Sequence, residues 1–227
     1  MRLVALVIAL AACGDHAASH VSVGAAAVMR HAMPELVARH TVLTGAKIDV
    51  IYGASDRLAA QAKAFDVLVL ADLKGFAGTS ATAPVTIATT SLVLVGVDRA
   101  VFRFANLRDE GVIALGDPKT VPAGRYARSY LESLGIWDVV APRVVYAGDV
   151  AGTLVLAQRG TAHVAIVYAS DAADAAPLVV LDRATDGPLV QVAAAATSTA
   201  GASFVRFLAS PDARAILARH GFGEVVR

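Results

Sequence analysis

An α/β chain folded into two lobes is what the sequence predicts, on three observations. Short apolar runs alternate with helical stretches along the whole length. Several runs, Asp66–Leu70 and His163–Tyr168 above all, are almost continuously apolar, as parallel strands covered on both faces are. The 227 residues fit two units of about 100 residues each.

The elements follow in order. Val21–Ala25 reads as a strand, Met29–His40 as a helix and Lys47–Tyr52 as a second strand. A helix from Ser55 to about Ala64 leads to the strand at Asp66–Leu70, and Val85–Val97 forms a longer β-type run. Val112–Leu115 is a strand closed by Gly116-Asp117-Pro118, and Pro122-Ala123-Gly124 leads into a helix, Arg125–Leu134, that Gly135 ends. Arg143–Ala147 is a strand, Gly148-Asp149-Val150 opens a helix to about Gln158, and His163–Tyr168 follows as a strand. Leu189–Ala196 is the last β-run, before a helix over Ala202–Leu208. The final helix has Ser210 as N-cap and Pro211 in the first helical position.

Composition narrows the function. Hydrophobic residues make up 56% and charged residues 17%, which excludes a disordered chain. The net charge of +1 gives no reason to expect nucleic acid as a partner. The longest unbroken apolar run, Leu3–Ala12, falls short of the roughly 20 residues of a membrane span. Instead, Arg2, that run, and Leu10-Ala11-Ala12-Cys13 have the parts of a secretory signal, and the last four residues look like a bacterial lipobox. Residues 1–12 then read as the signal, Cys13 as the lipidated residue and 13–19 as a tether, placing the protein outside the cytoplasmic membrane. Twelve residues before Cys13 is short for a signal, and the alternative is an ordinary N-terminal element with a buried cysteine. The single cysteine excludes an internal disulfide.

The chemistry concentrates where strands run into helices: Ala25-Ala26-Ala27-Val28, Gly53-Ala54-Ser55-Asp56, Pro122-Ala123-Gly124 and Gly148-Asp149-Val150. Small residues let a ligand approach the backbone, and each helix start offers unpaired N–H groups and partial positive charge. Several such starts aimed at one point can hold an anion without Lys or Arg, although every α/β protein has βα turns.

Four stretches resemble the periplasmic molybdate-binding family: Val23–Ala27, Gly116–Ala127, Gly148–Leu154 and Ile166–Asp171. Leu134–Asp138 and Ile216–Phe222 are similar to it as well. The resemblance implies a type II periplasmic-binding-protein fold, with lobe 1 over 20–87 and 193–227, lobe 2 over 88–192, and a ligand cleft between them. It implies an extracytoplasmic substrate-binding component of an ABC transporter, a monomer that delivers molybdate or tungstate to a permease, with no enzymatic activity and no cofactor. It also implies the site: backbone N–H groups of Val28, Ala123 and Val150, the hydroxyl and N–H of Ser55, and the hydroxyl of Tyr168. Neutral donors satisfy a dianion's lone pairs, and a cavity of fixed size separates molybdate and tungstate from smaller sulfate.

Val28 departs from the family, which has a serine there, so one hydroxyl is lost and a different oxyanion becomes an alternative. Asp56, beside Ser55, is expected to point to solvent and cap its helix. A serine hydrolase on Ser55, Asp117 and His220 is the competing class; the elbow pattern fails at Arg57, where glycine belongs. No histidine pair has zinc spacing outside the tether, where His16 and His20 lie four apart. His163 is expected to be partly buried, and Trp137 and Phe222 to pack the core.

Overall fold

The computed structural model describes residues 20–97, 101–109, 111–172 and 175–224. The signal, Cys13, His16 and the tether lie outside them. In chain order the elements are β1 (His20–Ala26), α1 (Met33–Thr44), β2 (Lys47–Gly53), α2 (Ser55–Ala60), β3 (Val67–Leu70), β4 (Val85–Thr90), β5 (Leu92–Gly96), β6 (Ile113–Gly116), α3 (Pro122–Ser133), α4 (Trp137–Val140), β7 (Val144–Ala147), α5 (Val150–Gln158), β8 (Val164–Tyr168), α6 (Ala169–Ala172), β9 (Val179–Arg183), β10 (Val190–Ala196), α7 (Ala202–Leu208) and α8 (Pro211–Arg219).

The strands form two mixed sheets, ordered β2-β1-β3-β10-β4 and β7-β6-β8-β5-β9. In the first, β1 runs parallel to β2 and β3, while β10 is antiparallel to β3 and β4. In the second, β6 runs parallel to β7 and β8, while β5 is antiparallel to β8 and β9. The chain leaves the first sheet at Ser91 and returns to it between β9 and β10. The apolar run 85–97 is therefore two strands. Thr90 pairs with Val190 in one sheet and Leu92 with Tyr168 in the other, and the Ser91 carbonyl accepts the Ala169 N–H at 2.9 Å.

The inner strands β3, β5, β6 and β8 are buried along their whole length, covered on both faces, which is why they read as continuously apolar, whereas the edge strands β2, β7 and β9 stay partly exposed. One core contains Val23, Val69 and Val192 of the first sheet together with Leu94, Ile113 and Ile166 of the second. On the opposite faces, Leu68 and Leu70 pack with Leu58 and Phe65, and Val95 and Val167 pack with Ala157. Phe222 is buried in the core; Trp137 packs against it half-buried, with the Arg128 guanidinium 5.2 Å from its ring centre.

Several expected boundaries move for local reasons. Residues 27–29 form a 3-10 turn, and α1 starts only at Met33, with a proline in its first turn. Helix α3 starts at Pro122 rather than Arg125, because proline at N1 already has helical φ and its missing N–H is one a helix start leaves unused. Helix α2 ends at Ala60, followed by a separate turn at 62–64. The edge strand β9 and the short α4 were not expected.

Candidate functional site

The parallel registers bring the strand ends level. Ala26 pairs with Gly53 and Gly116 pairs with Ala147, so β1 and β2 end together, as do β6 and β7. Val28, Ser55, Ala123 and Val150 lie just beyond those ends, and Tyr168 is the last residue of β8. This is the carboxyl edge, where open α/β sheets bind ligands. The two sheets present these edges to each other: the turn 27–29 packs on α6, and Asp72 beyond β3 acts electrostatically on Tyr126 of α3. Val28, Ala123 and Tyr168 are buried in one continuous cluster, and Val150 packs against it. Ser55 joins it by accepting the N–H of buried Ala71 at 3.1 Å.

Each helix start keeps donors in hand. Helix α3 has no side-chain cap, and its first main-chain bond runs from Arg125 N–H to the Val121 carbonyl, leaving the Ala123 N–H unused within the chain. Gly124 lets this start sit on β6, since a Cβ there would lie 1.9 Å from the Gly116 carbonyl oxygen. In α5 the Asp149 carboxylate accepts the Gly152 N–H at 2.7 Å and the Asp149 carbonyl accepts Thr153 N–H, which leaves Val150 N–H unused. Helix α2 also lacks a side-chain cap; its first main-chain bond is Leu58 N–H to the Ala54 carbonyl. The Ser55 hydroxyl is already an acceptor for Ala71, so its own proton remains to be donated.

Tyr168 is the most informative residue. It is 3% exposed, and its hydroxyl has no hydrogen-bond partner. Burial pushes its pKa well up, helped by Tyr126 and Asp171 and opposed by Arg125, so the hydroxyl stays a donor. The Tyr126 ring lies 6.4 Å away, tilted by 60°. A buried hydroxyl left unpaired costs about 1–3 kcal/mol, so this one is free to donate to an acceptor that reaches it.

Asp56 is exposed on the first turn of α2 and makes no capping bond, so only its solvent-facing placement agrees with expectation. The drawn triad is not assembled. Ser55 serves Ala71, Asp117 Oδ1 accepts Lys119 N–H at 2.9 Å, and His220 Nε2 lies 3.0 Å from Glu35. His163 is exposed rather than partly buried, because it stands at the strand mouth, where its Nδ1 accepts Val112 N–H at 2.9 Å. His20 Nε2 lies 2.8 Å from the Asp49 carboxylate. No group of three His, Cys, Asp or Glu able to hold a metal ion occurs among the described residues.

Sequence reasoning missed two features of this edge. Thr90 and Ser170 place their buried hydroxyls 3.4 Å apart where the chain changes sheets, and the carboxyl of Asp171 is 6% exposed with Oδ2 unpartnered. Both serine and aspartate stand inside the Ile166–Asp171 motif, but only the strand pairing reveals what faces them.

Comparison with known proteins agrees with this geometry. Residues 21–223 match the model of a family described as bacterial extracellular solute-binding protein. The molybdate-binding protein ModA of Escherichia coli (strain K12) is 31% identical over 228 residues, covering 89% of this chain and 88% of its own. Its namesake in Haemophilus influenzae is 30% identical, covering 78% and 71%. The periplasmic molybdate-binding protein of Azotobacter vinelandii superposes with a TM-score of 0.75 over 91% of this chain and all of its own, and at 22% identity shows the shared fold. Paired sheets, opposed strand ends and this match over nearly the whole described length lead to one assignment: the chain belongs to the bacterial extracellular solute-binding protein family.

Proposed function

We propose that this protein is the molybdate-binding component of an ABC transporter, capturing the oxyanion outside the cytoplasmic membrane and delivering it to a permease. The observation that carries the reading is the buried, unpartnered Tyr168 hydroxyl beside two helix starts, the uncapped one at Ala123 and the one at Val150, whose Asp149 cap engages Gly152 N–H and leaves Val150 N–H unused. Such a set offers fixed donors and no cation, which suits a dianion taken up and then released. The likeness to molybdate-binding proteins over most of the chain supports the choice of anion. Tungstate, of the same shape and charge, binds equally. The protein works as a monomer, held to the membrane by a lipid on Cys13, and closes its lobes on the ligand so that the permease distinguishes loaded from empty.

A thermal-shift titration with molybdate, tungstate, sulfate and phosphate tests this. At a hundred times its dissociation constant a ligand adds about 2.7 kcal/mol of stability. A rise with molybdate and tungstate alone is expected. A rise with sulfate or phosphate instead would favour the second reading, a different oxyanion, which rests on Val28 offering no hydroxyl at the turn after β1.

A further inference from the structure

Asp171 is the one described carboxylate buried as deeply as the ligand-facing groups, and nothing in the reading above uses it. It lies on α6, three residues after Tyr168, and α6 packs against the turn 27–29 of the opposite lobe. Its Oδ2 has no partner, and its charge is felt at the Tyr168 hydroxyl. The groups facing it are few. Arg30, just past the turn, attracts it from the first lobe; Tyr168 offers its backbone from β8; and β5 brings only apolar side chains. The segment touching α6 at Gly221 carries His220, which is held on Glu35.

We propose that Asp171 takes up one proton from solvent when the cleft takes a dianionic oxyanion, so that the protein binds anion and proton together. This rests on the oxyanion reading. An ionised carboxylate and a dianion inside one dry region repel each other strongly. The unpartnered oxygen gives the proton a place to go, and Arg30 alone is too solvated to neutralise both charges. Burial already holds this carboxyl up at about 7 without ligand, against the pull of the Tyr168 backbone and Arg30, so little further rise is needed to protonate it. The proton comes from the buffer and returns to it when the anion leaves, with no bond to the anion made or broken.

The test is calorimetry of molybdate binding in two phosphate-free buffers of different ionisation heat. The expected result is an uptake approaching one proton per anion near about pH 8, fading below about pH 6, with affinity weakening by up to about tenfold per pH unit above about 7. In Asp171→Asn the uptake and the pH slope vanish, and affinity at high pH rises to that of the wild type at low pH. Arg30→Gln, which keeps Asp171 intact, shifts the uptake window to higher pH. Binding without proton uptake in the wild type overturns the proposal and leaves the molybdate reading standing; uptake that persists in Asp171→Asn does the same. Absence of binding at every pH overturns the molybdate reading, and this proposal with it.

Discussion

The Ser55 hydroxyl accepts the Ala71 N–H at 3.1 Å, a bond that ties the start of α2 to the end of β3. The hydroxyl thus acts as a latch between the start of α2 and the end of β3, with its own proton left to donate. Ser55→Ala removes both. The buried Ala71 N–H loses its partner, at a cost of about 1–3 kcal/mol. We expect a lower melting temperature without ligand and weaker molybdate binding. A variant with unchanged melting temperature would show that Ala71 finds another acceptor.

Tyr168→Phe separates binding from folding in the opposite way. The hydroxyl has no partner within the chain, so deleting it removes a buried unsatisfied group. Stability without ligand should hold or rise. A lost hydrogen bond to a charged ligand is worth about 1.5–3 kcal/mol, or roughly ten- to a hundredfold in affinity. Calorimetry and thermal melting on the same sample check both halves; affinity equal to the wild type would remove Tyr168 from the site.

Val28→Ser addresses the departure from the family pattern. Val28 is 7% exposed on the turn after β1, close to the opposite lobe through the contact of that turn with α6. A serine there adds a donor within reach of a bound anion while giving up part of a valine's packing, about 1 kcal/mol or more. The expected signature is tighter molybdate binding on a slightly less stable protein. Tighter sulfate binding instead would mean that cavity size is set elsewhere.

Much of this site is legible in the sequence because strand ends and helix starts are local features. Small residues before Val28 and Ser55, and Pro122-Ala123-Gly124, mark their turns whatever the rest of the chain does. Pairing is not local. Nothing in the run 85–97 states that Thr90 and Leu92 belong to different sheets; that is decided by Val190 and Tyr168, more than seventy positions away. The same holds for Asp171, whose sequence neighbours are unexceptional and whose helix packs on β5 and β8 of its own lobe and on the turn 27–29 across the cleft. Strand β9 is not legible because it is an edge strand with no buried residue, so no apolar-polar alternation marks Val179–Arg183.

Asp66 gives a pH effect of one sign. It accepts Ser22 N–H at 2.9 Å, Ser22 Oγ at 2.8 Å and Ser198 Oγ at 2.6 Å, joining β1 to the segment after β10. The Ser198 bond first, and then those from Ser22, hold its carboxyl below the ordinary 3.8. A lowered pKa contributes stability that is present above the unfolded value and lost as pH falls through the folded one. Asp66→Asn should therefore be less stable than the wild type near neutrality and converge with it as acid protonates the wild-type carboxyl. Parallel acid-unfolding curves for the two would refute this.

Asp171 gives the other sign. Burial raises its carboxyl from 3.8 to about 7, so the folded, ligand-free protein binds a proton there that the unfolded chain has released. Stability from this group is full below the unfolded value and is lost as pH rises toward the folded one, with no further change above it. The slope inside that window is at most about 1.4 kcal/mol per pH unit. Denaturant unfolding without ligand between about pH 5 and about pH 8 should show the wild type weakening with pH, while Asp171→Asn stays level across the window. The Asn side chain keeps the shape and stays neutral, so the two curves should lie closest at the acid end and part toward pH 7. Equal slopes would mean that Asp171 meets water in solution, and the repulsion that ties its proton to the anion would then be screened away.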